Sequence, residues 1–126
     1  MSLEKGIGYT YHVPAPCKEE VKVLYADDDI VLVDKPAGLL SVPGRILKDS
    51  VFQRLLYEFP DLSVVHRLDL DTSGLMVFAN SRTAVTKLNR QFRERSIAKT
   101  YEALVFGRVA EHSGRIELPI GPDPDN

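Results

Sequence analysis

Nine consecutive residues, His66-Arg67-Leu68-Asp69-Leu70-Asp71-Thr72-Ser73-Gly74, place an imidazole, a guanidinium, two carboxylates and two hydroxyls ahead of a glycine. Such groups can do acid/base, nucleophilic or recognition chemistry. Asp69 and Asp71 stand two residues apart and face opposite sides of an extended chain, so a paired acid/base constellation would need a sharp turn between them. Ser73 lacks the glycine-flanked elbow of an activated serine nucleophile, although His66 is near in sequence. Turn hydrogen bonds account for Thr72 and Ser73 more simply. Asp69 can be read either as a turn carboxylate paired with Arg67 or as a reacting group.

The elements around this stretch must hold it. Leu62-Ser63-Val64-Val65 precedes it and Leu75-Met76-Val77-Phe78-Ala79 follows it, and both read as buried strands that present a polar loop at a sheet's end. Upstream, Val21–Tyr25 and Ile30–Asp34 flank Ala26-Asp27-Asp28-Asp29 and form an expected hairpin. Lys35-Pro36-Ala37-Gly38 ends the second strand, and a loop through Pro43-Gly44-Arg45 follows. From Ser50, an N-cap, Phe52, Leu55, Leu56 and Phe59 share one face of a helix that Pro60 ends. Ser81 caps a second helix, in which Val85, Leu88 and Phe92 form a stripe and Arg82, Lys87, Arg90 and Arg93 face solvent. Residues 99–107 and 114–118 read as two further strands. The fold expected is α+β, a mixed, mainly antiparallel sheet with flanking helices. Strand order is not readable from the pattern.

The whole chain limits the functions open to it. Its 126 residues, 44% of them hydrophobic, suit one domain with its own core. No apolar run approaches the ~18 residues needed to span a bilayer, and the start resembles no signal peptide, so a cytoplasmic protein without membrane attachment is expected. Cys17 is the single cysteine, and His12, His66 and His112 are scattered, which offers no disulfide and no metal-ligand spacing. Neither a metal nor a cofactor is expected. The net charge of −2 hides a cluster between Arg82 and Lys99, where six cations face Glu94 alone. Such a run can contact phosphates or can be a solvated helix face. Residues 1–20, with Gly6, Gly8, Pro14 and Pro16, read as an N-terminal tail or irregular covering segment.

The stretch at 66–74 resembles the H-R-L-D-x-x-T-S-G motif of the RluA-type pseudouridine synthases at every specified position. Lys35-Pro36-Ala37-Gly38 resembles that family's upstream K-P-x-G segment, and Lys99-Thr100-Tyr101 its downstream K-x-Y segment. The resemblance covers about residues 21–121. The aspartic proteases are a weaker likeness through Asp71-Thr72-Ser73-Gly74, since Ser73 stands where they have glycine and Arg67 would sit beside the shared proton. Leu39–Arg45 and Phe92-Arg93-Glu94-Arg95 are most similar to the branch that modifies a tRNA anticodon stem-loop and large-subunit rRNA.

The resemblance implies an isomerase that converts uridine to pseudouridine in tRNA or ribosomal RNA. The glycosidic bond is broken, the uracil turned, and the base rejoined through C5. It assigns catalysis to Asp69, whose carboxylate can attack a carbon or assist deprotonation without metal or cofactor. Asp71 falls at an unspecified motif position and is read as structural. Because a stacked base cannot reach a carboxylate, the nucleotide must be flipped out. Arg67 then enters the RNA stack, Tyr101 packs on the uracil, and Arg45, Arg90 and Arg93 contact the RNA. Lys35 and Pro36 are expected to be structural, and His66 to be a hydrogen-bonding residue rather than an acid.

The family's catalytic domain also carries a later T-G-R-x-H-Q-type segment, whose arginine pairs with the catalytic aspartate. Residues 21–126 are accordingly expected to be the N-terminal portion of such a domain, inactive or nearly so alone and open to self-association through uncovered surfaces. The alternative is a non-catalytic RNA-binding fragment.

Overall fold

A computed structural model describes residues 2–4 and 10–122. Its element order is β1 (Ser2–Glu4), β2 (Thr10–His12), β3 (Lys22–Ala26), β4 (Ile30–Lys35), α1 (Val51–Leu55), β5 (Ser63–Val64), β6 (Gly74–Ala79) and α2 (Arg82–Arg93). This is the α+β architecture expected. β1 and β2 pair with each other, whereas β3, β4, β6 and β5 form a four-stranded antiparallel sheet in that order.

The sheet is built on alternation. Val31, Val33 and Lys35 of β4 point to its covered face, and the register sets them opposite Phe78, Met76 and Gly74 of β6. Four of these six are the apolar centre of the core, joined by Leu39, Val51, Leu55, Leu62 and Leu68. Lys35 closes the row as a wholly buried cation. Gly74, across from it, takes φ +127°, a conformation that side chains rarely adopt.

The hairpin between β3 and β4 turns on Asp27, whose Oδ1 accepts from the backbone N–H groups of Asp29 and Ile30 at 2.8 and 2.7 Å. These bonds and one from the Tyr25 hydroxyl hold the Asp27 carboxyl below its ordinary range. A bulge at Leu24 shifts the register, and β3 lies wholly exposed at the sheet's edge.

Ser50 and Ser81 cap the helices as expected, their hydroxyls accepting from Gln53 and Ala84 N–H groups at 3.0 and 3.1 Å. α1 is shorter than its apolar spacing suggests. It ends at Leu55, yet the Phe59 N–H still donates to the Leu55 carbonyl, and Phe52, Leu56 and Phe59 pack on the core together.

Two expectations need correcting. Residues 1–20 are not wholly irregular, although residues 1 and 5–9 lie outside those described. Besides the β1–β2 pair, the stretch before β3 is tied down by Arg54, whose guanidinium donates to the Cys17 and Glu19 carbonyls at 2.7 Å each while pairing with Asp49. Cys17 thereby packs against the core. The strands expected at 99–107 and 114–118 are absent, and residues 94–122 form neither helix nor strand. Alternation supplies a face to bury, but a strand also needs a paired edge, and this segment reaches neither β3 nor β5. Leu104 and Phe106 are left fully exposed.

Arg54 holds its partners from a half-buried position, where hydrogen bonds to a charged group stabilise by more than surface ion pairs do. Replacing it (Arg54→Leu) should lower stability by about 1–2 kcal/mol in urea unfolding. Limited proteolysis should then cut between residues 13 and 20 faster than in the parent chain.

Candidate active site

The loop from His66 to Ser73 joins β5 to β6, and its fixation comes from backbone rather than from side chains at its tip. Ser41 makes a two-way contact with Leu68: its hydroxyl donates to the Leu68 carbonyl at 2.6 Å and accepts from the Leu68 N–H at 3.0 Å. Both groups are buried, so each would otherwise lose its water without replacement. The Gly38 N–H donates to the Leu70 carbonyl at 2.8 Å, and Gly38 needs its φ of +86° at this turn. Within the loop, the Thr72 N–H donates to the Asp69 carbonyl at 3.1 Å and closes a turn.

Lys35 is the deepest anchor. Its Nζ donates to the carbonyls of Pro36, Leu70 and Thr72 at 2.9, 2.9 and 2.7 Å. An ammonium has three donors, and here three carbonyls meet them. Burial pulls its pKa down from the usual lysine value, while Cys17 and the carboxylates of Asp71 and Asp69 act in the opposite sense. The sequence reading of Lys35 as structural thus acquires atoms.

With Leu68 held inward, its neighbours Arg67 and Asp69 are exposed on either side of it. Neither side chain makes a hydrogen bond or ion pair among the described residues. The Arg67–Asp69 ion pair of the turn-carboxylate reading is not formed in this structure. Asp71 is exposed as well, and its charge is felt by Lys35.

His66 is half-buried. Its Nε2 accepts from the Val77 N–H at 3.1 Å, and its ring stacks on Phe92 of α2 with centroids 4.7 Å apart and planes 18° from parallel. A ring accepting through Nε2 is neutral and carries its proton on Nδ1. Burial, and then the positive charge of Lys99, lower its pKa from 6.5. His66 is thus a satisfied hydrogen-bonding residue, and it couples the loop to the basic helix.

The other residues singled out are not gathered on the loop. Arg90 and Arg93 are exposed on α2, and Arg45 is exposed in the loop after Gly44. Tyr101 is 62% exposed on the segment after α2, and its ring makes no stacking or hydrogen-bonding contact among the described residues. Two positioning residues escaped the sequence reading. Ser41 gave no signal, since a lone serine in a loop has many uses. Phe92 was read as part of the helix's apolar stripe and of a branch-like segment, not as a residue that positions the loop. Among the described residues no three His, Cys, Asp or Glu side chains converge as metal ligands.

The structure is an α+β fold whose antiparallel sheet supports a fixed loop with exposed Arg67 and Asp69, beside a helix that displays Arg90 and Arg93. The particular family follows from comparison with known proteins. Residues 29–126 match the family model described as RNA pseudouridylate synthase, and the chain belongs to that family. It is 52% identical over 100 residues to the dual-specificity RNA pseudouridine synthase RluA of Yersinia pestis and 49% identical over 100 residues to that of Vibrio parahaemolyticus. Each match covers 78% of this chain, but 48% and 40% of the respective relative, so the chain spans less than half the length of either. Among solved structures, human RNA pseudouridylate synthase domain containing 1 superposes with a TM-score of 0.50 at 26% identity, over 66% of this chain and 31% of that one.

Two outcomes test this anchoring. Lys35→Met leaves the Leu70 and Thr72 carbonyls without their charged donor and should lower stability by about 3 kcal/mol. His66 gives a pH signature. Its folded pKa lies below the unfolded 6.5, so its contribution is complete above that pH and is lost as pH falls through the window beneath it, where the unfolded chain takes up the proton first. The urea midpoint should fall between about pH 7 and pH 5, and His66→Gln should flatten that fall.

Proposed function

We propose that this chain carries the catalytic loop of an RNA pseudouridine synthase, with Asp69 as the catalytic carboxylate. The observation that carries the reading is the exposed, unpaired Asp69 on a loop whose backbone is held by Lys35, Ser41 and Gly38. A reacting group gains from being fixed before the substrate arrives, because less ordering remains for the transition state. A carboxylate suits a reaction that breaks and remakes a bond at uridine without a redox change. Arg67, on the other side of Leu68, enters the space left by the flipped base, where its plane can stack and its N–H groups can donate. Arg45, Arg90 and Arg93 contact phosphates, and Tyr101 packs on the uracil.

The substrate is a uridine in a tRNA or ribosomal RNA stem-loop, where an unpaired base is flipped at least cost. That substrate places the protein in the cytoplasm. Residues 21–126 form the N-terminal portion of the catalytic domain. Alone they turn over little, because Asp69 has no ion-pair partner among the described residues. The open edges at β3 and β5, with the exposed Leu104, Phe106 and Ile120, favour self-association of the isolated chain.

The test uses tritium release from 5-tritiated uridine transcripts, by this chain and by a chimera in which residues 29–121 replace the matching segment of the Yersinia pestis relative. The chimera should turn over and the isolated chain should not. Asp69→Asn in the chimera should lower turnover on the order of 10³-fold or more, with RNA affinity kept within a few-fold. A chimera that folds and binds RNA without releasing tritium would sink the enzymatic reading and leave a non-catalytic RNA-binding module. In the isolated chain, Arg90→Gln with Arg93→Gln should flatten the salt dependence of RNA binding, and an unchanged slope would remove α2 from the interface.

A further inference from the structure

Helix α2 ends in a closed hydrogen-bonded motif. The Arg95 N–H donates to the Phe92 carbonyl at 3.2 Å, the Ser96 N–H to the Gln91 carbonyl at 3.0 Å, and the Glu94 N–H to the Arg90 carbonyl at 2.8 Å. This pattern needs a left-handed residue after the cap, a position that glycine usually fills. Arg95 fills it instead, at φ +56°, and is the one non-glycine residue with positive φ among the described residues. Its Cβ is crowded there, so arginine is held against its backbone preference.

The side chain does not repay this locally. The nearby carbonyls of the last turn are already met by backbone N–H groups, and the Ser96 hydroxyl adds a second donor to Gln91. The Arg95 guanidinium has no hydrogen bond or ion pair among the described residues. Beside it opens a cleft of about 300 Å³ lined by Phe92, Arg95, Ile97 and Lys99. Lys99 places its Nζ 5.2 Å from the Phe92 ring centroid, and Phe92 also stacks on His66, the residue before Arg67. The cleft is thus lined by two cations and two apolar side chains, one ring away from the loop that carries Asp69. A strained, unpartnered arginine at such a cleft points to a ligand.

We propose that this cleft is a phosphate subsite for substrate RNA: a backbone phosphodiester near the target uridine sits between Arg95 and Lys99, with its ribose or base against Phe92 and Ile97. The inference rests on the RNA-modifying reading above and adds residues to it. Two cations beside the apolar Phe92 and Ile97 suit a phosphodiester with an attached nucleoside better than a free anion, which needs no apolar contact.

The experiment measures affinity of the full chain for a labelled uridine-containing RNA stem-loop across a range of salt, in the parent and in Arg95→Gln, Arg95→Gly and Lys99→Gln. Each variant should bind about five- to tenfold more weakly near 0.1 M salt, with the slope of log affinity against log salt reduced by about 0.7–0.9. Arg95→Gly separates the two roles of the residue. It should raise Tm by roughly a few degrees, through relief of the left-handed backbone, while losing RNA affinity as Arg95→Gln does. Variants of Arg95 that bind RNA like the parent, while Arg67→Ala binds weakly, would overturn the subsite and leave the RNA reading standing. A parent chain with no salt-dependent RNA binding would overturn both. In a parallel titration followed by amide NMR shifts, RNA should displace Arg95 and Lys99 signals at concentrations where inorganic phosphate does not. Equal response to inorganic phosphate would show a simple anion site and overturn the RNA assignment.

Discussion

The site depends on the burial of one positive charge. Removing an ammonium from water is costly unless each of its protons finds an acceptor. Lys35 finds the carbonyls of Pro36, Leu70 and Thr72, which draws two points of the 66–73 loop onto the end of β4. The requirement works in both directions. The loop cannot move away without stranding the charge, and the charge cannot stay buried without the loop. Asp69 and Asp71 add long-range attraction, so the cation below the loop also favours carboxylates upon it.

Apolar packing alone would not position the loop so closely. Contacts of Leu68 with the core tolerate small shifts, because dispersion is weakly directional. The Ser41 hydroxyl removes that freedom by bonding both the N–H and the carbonyl of Leu68, as a neighbouring strand would. His66 extends the constraint sideways. It ties the start of the loop to β6 through Val77 and to α2 through Phe92. The helix that displays Arg90 and Arg93 is therefore coupled to the loop that displays Arg67 and Asp69 through a neutral ring.

Much of this was open to reading in the residues themselves, where local pattern and structure share one cause. The β-branched run at residues 30–34 and the apolar run at 75–79 marked the two central strands, whose side chains alternate between the faces, and Ser50 and Ser81 marked both helix starts. The same alternation places Lys35 on the buried face of Val31 and Val33, in keeping with its expected structural role. Other features depend on partners distant in sequence. Ser41 acquires meaning only through Leu68, and Cys17 is fixed only because Arg54 reaches back to it. Residues 99–107 show the reverse failure. Their pattern is that of a strand, but pairing is a property of two segments, and the second is not supplied by the sheet described here. Within the site, Arg67, Asp69 and Lys35 stood out by type and spacing, whereas the anchoring roles of Ser41 and Phe92 did not.

The division of labour between adjacent residues follows from the period of an extended chain. Successive side chains alternate, so a slip of one residue would turn Arg67 and Asp69 inward and Leu68 out. The inward position has no partner for a carboxylate or a guanidinium, and a buried unpaired charge destabilises far more than one lost apolar contact. Register is thus enforced twice, by the Ser41 bonds to Leu68 and by the penalty for any alternative. The anchors use backbone groups of Leu68, Leu70 and Thr72 and leave the side chains of Arg67 and Asp69 unspent. A loop held in this way can keep two charged groups exposed and fixed at once, where surface side chains on a free loop would have to be ordered by the ligand itself.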